Sequence, residues 1–185
     1  MTRRLPPRAR GARLRGGGIS TSCAGLPEPR FSFRYFLPAP PLRATMTTYY
    51  VLDVGGEEPI EELLFPEWAN FRLLLDAEWT QTSGDGRVAT HAPPIALMSG
   101  TISRTARVRG SPGRVVGAGF LPAGWAAFTD LPARDYVDRI TPLSTFVGAA
   151  ADQLMAAVLA APDDVAIVAA LDAWFLGRMA AAPAT

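Results

Sequence analysis

The chain has 185 residues, 49% hydrophobic and 19% charged, which suits one globular domain of ordinary size with length to spare. No apolar run approaches the ~18 residues of a membrane span, so no transmembrane helix is expected. One cysteine, Cys23, and one histidine, His91, exclude an intrachain disulfide and any metal site built on several of either.

The net charge of +1 conceals a split. Residues 1–45 carry nine arginines and one acid, Glu28, for +8; residues 46–185 carry nine arginines and sixteen acids, for −7. There is no lysine, and a chain using only arginine, rich in Ala, Gly and Pro, has the coding bias of a GC-rich gene. Segment 1–45 holds seven prolines and five glycines and shows no helical period. It cannot bury enough apolar surface to offset its ordering entropy, so a disordered tail is expected. Three readings compete for it. An organelle transit peptide suits the arginines and serines, but the prolines and the glycines at 16–18 spoil an amphipathic helix. A basic arm could neutralise nucleic-acid phosphates without a fold. The reading adopted is that translation starts at Met46.

Residues 46–120 read as a small sheet. The β-branched and aromatic run 47–52 predicts a strand. A loop over 53–59 contains Gly55 and Gly56, and 61–65 is a short strand. The run 71–75 (FRLLL) predicts another, extending towards Trp79. The tetrapeptide 83–86 (SGDG) has hairpin-turn chemistry, and 88–91 would be the return strand, closed by Pro93 and Pro94. The run 95–99 is again of strand length. Over 102–108 polar and apolar positions alternate, with Arg104, Ala106 and Val108 on one side and Thr105, Arg107 and Arg109 on the other. A turn at 110–113 leads into the strand 114–120, where Gly117 and Gly119 share a face, a sign of a bulge or close backbone approach. Tight turns without intervening helices imply antiparallel pairing.

Residues 121–185 read as helical. Pro122 can open a helix containing Trp125 and Phe128. Asp130 and Pro132 start a second over 133–139, and Pro142 ends it through the restriction on Thr141. Ser144 caps a helix over 145–161 with the stripe Val147, Ala151, Leu154, Val158. Pro162 breaks it. Asp163 caps a last helix over 164–179 with the stripe Val168, Leu171, Phe175, Met179, and the two should pair as an αα-hairpin.

The residues so ordered include Phe65-Pro66-Glu67, the strand 71–75, Met98-Ser99-Gly100-Thr101, the run Arg114 to Trp125 (RVVGAGFLPAGW), Asp138-Arg139 and Pro142-Leu143. In order and spacing they resemble the N-terminal domain of a subgroup of AraC/XylS-type bacterial transcriptional regulators. A "GVRFRPGG"-like segment there precedes a short helix, and a "DRVVPLDDLWG"-like segment precedes the helical pair. Residues 119–124 and 138–143 match best, and the resemblance spans about residues 46–180. It implies a sensor or dimerisation domain. Those regulators also carry a C-terminal pair of helix-turn-helix units that reads DNA, and this chain stops at Thr185, where that domain would begin. Trp68 stands where the subgroup usually has a small residue.

Few residues suggest chemistry. His91, beside Pro93, reads as a loop histidine, with no partner for metal or base work. Asp76 and Glu78 are spaced for paired carboxylates, but no nucleophile neighbours them, and solvated acids fit better. Ser99-Gly100-Thr101 lacks the nucleophile-elbow pattern and a base, so a turn or bulge is expected. Gly117 and Gly119 lack the third glycine of a dinucleotide fingerprint. Arg104, Arg107, Arg109 and Arg114 cluster on one hairpin, where they could meet an anionic ligand or DNA or simply solvate an edge strand. Trp125 and Trp174 read as core. Phe71, Trp79 and Met98 are the candidates for an apolar ligand pocket.

The expectation is therefore an α+β fold: a small antiparallel β-sheet or partial barrel followed by a C-terminal helical hairpin. Residues 1–45 would be a disordered tail, 46–180 the domain, and 181–185 a disordered end. The function expected is that of a cytoplasmic regulatory domain of a truncated AraC-type regulator, not an enzyme, with no catalytic, metal-binding or DNA-binding residues of its own and no cofactor. Its partners would be a small-molecule effector and a second copy or a related regulator, with DNA reached only through a domain outside this chain and no membrane contact. The alternatives are a stand-alone interaction module acting on full-length regulators and a small cupin-like enzyme, which the histidine count opposes.

Overall fold

A computed structural model describes residues 30–181. Ten strands form two antiparallel sheets. Sheet I has six, in the order β1 (Phe31–Phe36), β2 (Met46–Val54), β9 (Gly113–Phe120), β4 (Asn70–Leu74), β7 (Ile95–Ser99) and β10 (Ile140–Pro142). Sheet II has four, in the order β3 (Ile60–Leu64), β8 (Ala106–Gly110), β5 (Trp79–Thr82) and β6 (Val88–His91). Four helices follow: α1 (Pro122–Phe128), α2 (Ser144–Val147), α3 (Ala150–Leu159) and α4 (Asp164–Ala181). The expected α+β architecture, with antiparallel strands and C-terminal helices, is present. Among the described residues no helix is long and apolar enough to cross a membrane.

Two-residue periodicity sorts sheet I into two faces. Tyr49 and Val51 of β2, Phe71 and Leu73 of β4, Ala96 and Met98 of β7 and Val116, Ala118 and Phe120 of β9 belong to the larger core, shared with the helices. Their neighbours Leu52, Val54, Leu74, Leu97 and Val115 face sheet II, in a smaller core with Trp79 and Val108. On β8 the expected alternation holds: Ala106 and Val108 are buried, Arg107 and Arg109 exposed.

The helices bury most of the predicted stripes, with Val147, Val168 and Met179 half-buried against the core. Ala151, Leu154 and Val158 of α3 and Leu171 and Phe175 of α4 are in the larger core, joined by Ile167. Asp163 caps α4, its carboxylate accepting the Ala166 N–H at 2.8 Å. The helix expected over 145–161 is split, because Gly148 takes φ +58 between α2 and α3. Ser144 opens α2 without acting as a side-chain cap. The helix expected over 133–139 is only a 3₁₀ turn, Ala133–Tyr136. Residues 140–142 instead form β10, where Thr141 and Pro142 extend along β7. Trp79 starts its own strand, in the other sheet from 71–75.

The tail boundary expected at residue 45 moves. Segment 31–36 is a full edge strand, in register with β2 from Phe31↔Val54 to Phe36↔Tyr49. Leu42 is completely buried. Arg34 of β1 bonds to Asp53 of β2 at 2.7 Å and to Asp164 of α4 at 2.5 Å, and Arg114 of β9 joins Asp53 at 2.6 Å. Burial alone would raise the Asp53 carboxyl, but the Arg114 and Arg34 hydrogen bonds outweigh it and hold the pKa below the usual carboxylate range. The tail's arginine count conceals this strand, because its aromatics alternate with only two polar residues. The rest of the expected tail, 1–29, and the end at 182–185 lie outside the described residues.

Candidate functional site: a cavity between the sheets

A cavity of about 370 Å³ opens between the two sheets. Leu52, Leu64 and Val115 supply aliphatic wall, and Phe33, Tyr35, Tyr50, Trp68 and Trp79 supply aromatic wall. Its charged and amide residues are Glu67, Asn70 and Arg72, and Thr47 and Thr48 also line it. Asn70 and Arg72 alternate with Phe71 and Leu73 on β4, so strand geometry alone turns them towards sheet II. Arg72 is 7% exposed. Its Nη2 donates to Glu67 Oε1 at 2.7 Å, and Asn70 Nδ2 donates to the same oxygen at 2.9 Å. The guanidinium carbon lies 5.8 Å from the centre of the Trp79 ring, so β4 and β5 meet through a cation–π contact.

Tyr50 lies over Gly117. A Cβ at Gly117 would sit 2.5 Å from the Tyr50 hydroxyl and 2.6 Å from the Phe71 carbonyl oxygen, so only glycine leaves room for the ring. Burial pushes the Tyr50 phenol up, against the opposing pull of Arg72, so the hydroxyl is protonated at neutral pH.

The hydrogen bonding around the cavity is incomplete. Trp125 Nε1 donates to the Leu131 carbonyl at 2.7 Å and Trp174 Nε1 to that of Ala150 at 3.0 Å. Trp79 Nε1 is buried and has no partner among the described residues, and neither has Asn70 Oδ1. Gln81 Oε1 and Ser99 Oγ are in the same condition. Gln81 is two residues beyond Trp79 on β5, and Ser99 pairs with Asn70 across β4 and β7, so all four belong to the space between the sheets. Each unmet buried group costs about 1–3 kcal/mol; Trp79 and Asn70 line the cavity, whereas Gln81 and Ser99 lie outside its lining. A wider groove of about 620 Å³ runs beside α1, but no residue lining it carries such an atom.

Of the expected pocket residues, the structure places Trp79 in this cavity and Phe71 and Met98 on the opposite face of sheet I, in the larger core. Alternation explains the separation: Phe71 pairs with Met98 across β4 and β7, on the helix side. Arg72, Asn70, Glu67, Tyr50, Phe33 and Tyr35 are missing from the sequence expectation. The available signal was a single arginine inside the apolar run 71–75, which a strand buried on both faces must point into a layer interface.

The other candidates have structural roles. Asp76 Oδ1 accepts the Arg114 backbone N–H at 2.5 Å, and Ser111 Oγ accepts the Glu78 backbone N–H at 2.8 Å, so the Asp76 carboxylate and the Glu78 backbone hold the 110–113 turn separately. Gly100 lies against the Tyr136 carbonyl, with no room for a Cβ. Ser103 donates its N–H and hydroxyl to Asp138, at 2.7 and 2.6 Å, with Asp138 itself at φ 57. Arg114 is paired with Asp53 and Arg107 with Glu61 at 3.7 Å. His91 is half-buried on β6, and burial lowers its pKa. Of the motif residues, Gly100 and Asp138 thus serve loop and turn contacts.

No family profile matches the chain, and no curated protein sequence matches it. Solved structures to which the chain shows some similarity include the AraC-like transcriptional activator CuxR, at 13% identity and a TM-score of 0.44, covering 84% of this chain and 64% of that one. They also include the polyketide cyclase RemF from Streptomyces resistomycificus, at 18% identity and a TM-score of 0.33, covering 58% of this chain and 84% of that one. The chain thus spans just under two thirds of the length of the activator.

Proposed function

We propose that this chain is an effector-sensing regulatory domain of the AraC/XylS type. A small molecule enters the cavity between the sheets, and the helical hairpin transmits its presence to a partner or to a DNA-binding domain elsewhere. The observation that carries this reading is the cavity whose buried Trp79 N–H and Asn70 carbonyl have no partner among the described residues. The motif resemblance gives the regulatory context. The domain catalyses nothing in this reading: the cavity-lining residues supply recognition groups, and its carboxylate, Glu67, is engaged by Arg72 and Asn70.

Thermal unfolding against a metabolite library tests it. A true effector raises the midpoint by mass action, by ~2.7 kcal/mol of stability at a hundred times its dissociation constant. Sensing also requires that the ligand favour one of two arrangements, so a stabilising compound must change association or partner binding. A library that leaves the midpoint unmoved refutes sensing.

A second reading is a stand-alone interaction module that pairs with related regulators. It draws on the exposed apolar side chains Phe31, Phe33, Tyr35, Phe65 and Trp68. A clean dimer, or a stable complex with a full-length regulator, in the absence of any stabilising compound would favour it.

A further inference from the structure

The cavity also restricts the kind of molecule it can hold, an inference that rests on the sensing reading. Five aromatic side chains, Phe33, Tyr35, Tyr50, Trp68 and Trp79, contribute to the wall of a space of about 370 Å³. Flat rings fit such a wall by offset or edge-on packing. Its charges cancel: Arg72 and Glu67 are bonded at 2.7 Å. An anionic ligand would have to face the Glu67 carboxylate, and a cationic one the buried Arg72 guanidinium, without a second counter-charge in the lining. Burying a charge unpaired is costly. Among its lining residues, the groups without a partner in the described residues are one donor, Trp79 Nε1, and one acceptor, Asn70 Oδ1. A hydroxyl can serve either need, because it donates and accepts through one atom.

We infer that the cavity takes an uncharged, flat aromatic molecule bearing at least one hydroxyl group. The ring lies among the aromatic side chains, and the hydroxyl engages Trp79 Nε1 or Asn70 Oδ1. The rejection of charge comes from the closed Arg72–Glu67 pair.

The test titrates the full chain with four matched probes: naphthol, naphthoate, naphthylmethylammonium and naphthalene. Binding is read by ligand-observed NMR and by tryptophan emission. Naphthol is expected to bind about tenfold more tightly than the other three, the value of one well-made hydrogen bond or one avoided charge burial. Trp79→Phe, which removes the N–H and leaves a smaller ring, should weaken naphthol binding more than naphthalene binding, by about fivefold to tenfold in the ratio of the two. Tighter binding of either charged probe, equal binding of naphthol and naphthalene, or no binding by any of the four overturns the ligand class. Sensing itself survives those outcomes if the metabolite library still yields a stabilising compound, and fails only if the library also yields none. The probe ranking on the unmutated chain decides the matter even if the Trp79 variant fails to fold.

Discussion

The Tyr49 hydroxyl donates to Asp172 Oδ1 at 2.9 Å, and the same oxygen accepts the Ala39 N–H at 2.9 Å. One carboxylate of α4 thus ties the helix to β2 and to the segment before it. Tyr49 is completely buried. Tyr49→Phe removes one hydrogen bond to a charged group and should cost about 1.5 kcal/mol. Asp172→Ala strands the buried hydroxyl as well as the Ala39 N–H and should cost more, about 2–3 kcal/mol. Urea melts of the two variants check the order.

The same pair predicts a pH dependence. Burial, followed by the bond to Asp172, pushes the Tyr49 phenol well above its ordinary value. A group raised on folding contributes its stability in full below the unfolded pKa, here about 10, and loses it as pH rises further. Stability should therefore fall above about pH 10, by about 1.4 kcal/mol per pH unit for each such tyrosine. Tyr50 is raised in the same direction. Tyr49→Phe should remove one of the two contributions and flatten the alkaline limb, as measured by denaturant melts across that range. An unchanged slope would show that Tyr49 ionises freely in the folded protein.

The Arg72–Glu67 pair should be asymmetric. Arg72 has 9% of its side chain exposed and Glu67 has 38%. Glu67→Ala leaves a buried guanidinium without its counter-ion and should cost about 3 kcal/mol. Arg72→Met leaves a carboxylate that water can reach, and the thioether fills the vacated space, so the loss should be about 1 kcal/mol or less. Paired chemical denaturation curves distinguish them.

The two glycines of β9 should differ. At Gly117 an added Cβ meets the Tyr50 ring and a backbone carbonyl; at Gly119 it meets chiefly Thr47 Oγ1, 2.7 Å away. Thr47 is exposed and can rotate. Gly117→Ala should cost about 1–3 kcal/mol and displace Tyr50 from the cavity, and Gly119→Ala should cost less. Thermal melts, with ligand titration for the cavity, read both effects.

Truncation tests the domain boundary. A chain starting at Met46 loses β1, the buried Leu42 and the cavity wall made by Phe33 and Tyr35. Leu42 alone represents about 1.5–3 kcal/mol of burial. That chain should be less stable than one starting at Arg30 by at least this amount. Equal melting points would return the boundary to residue 46.

Local rules determined much of this protein from sequence alone. Strand alternation on β8, the hairpin turn at 83–86 and the stripes of α3 and α4 depend on neighbours a few residues apart, so period and turn chemistry disclose them. The Asp163 cap is equally local. Only the tertiary structure decided which face of each strand of sheet I meets the helices and which meets sheet II. Alternation separates Phe71 from Arg72 but is symmetric between two covered faces, so it cannot name the one that holds a cavity. The cavity gathers Phe33, Glu67, Arg72, Trp79 and Val115 from five places in the chain. Residues so far apart meet only when non-local strand pairing closes the layers, and it is that closure which buries Arg72 beside Glu67 and leaves Trp79 Nε1 without a partner among the described residues.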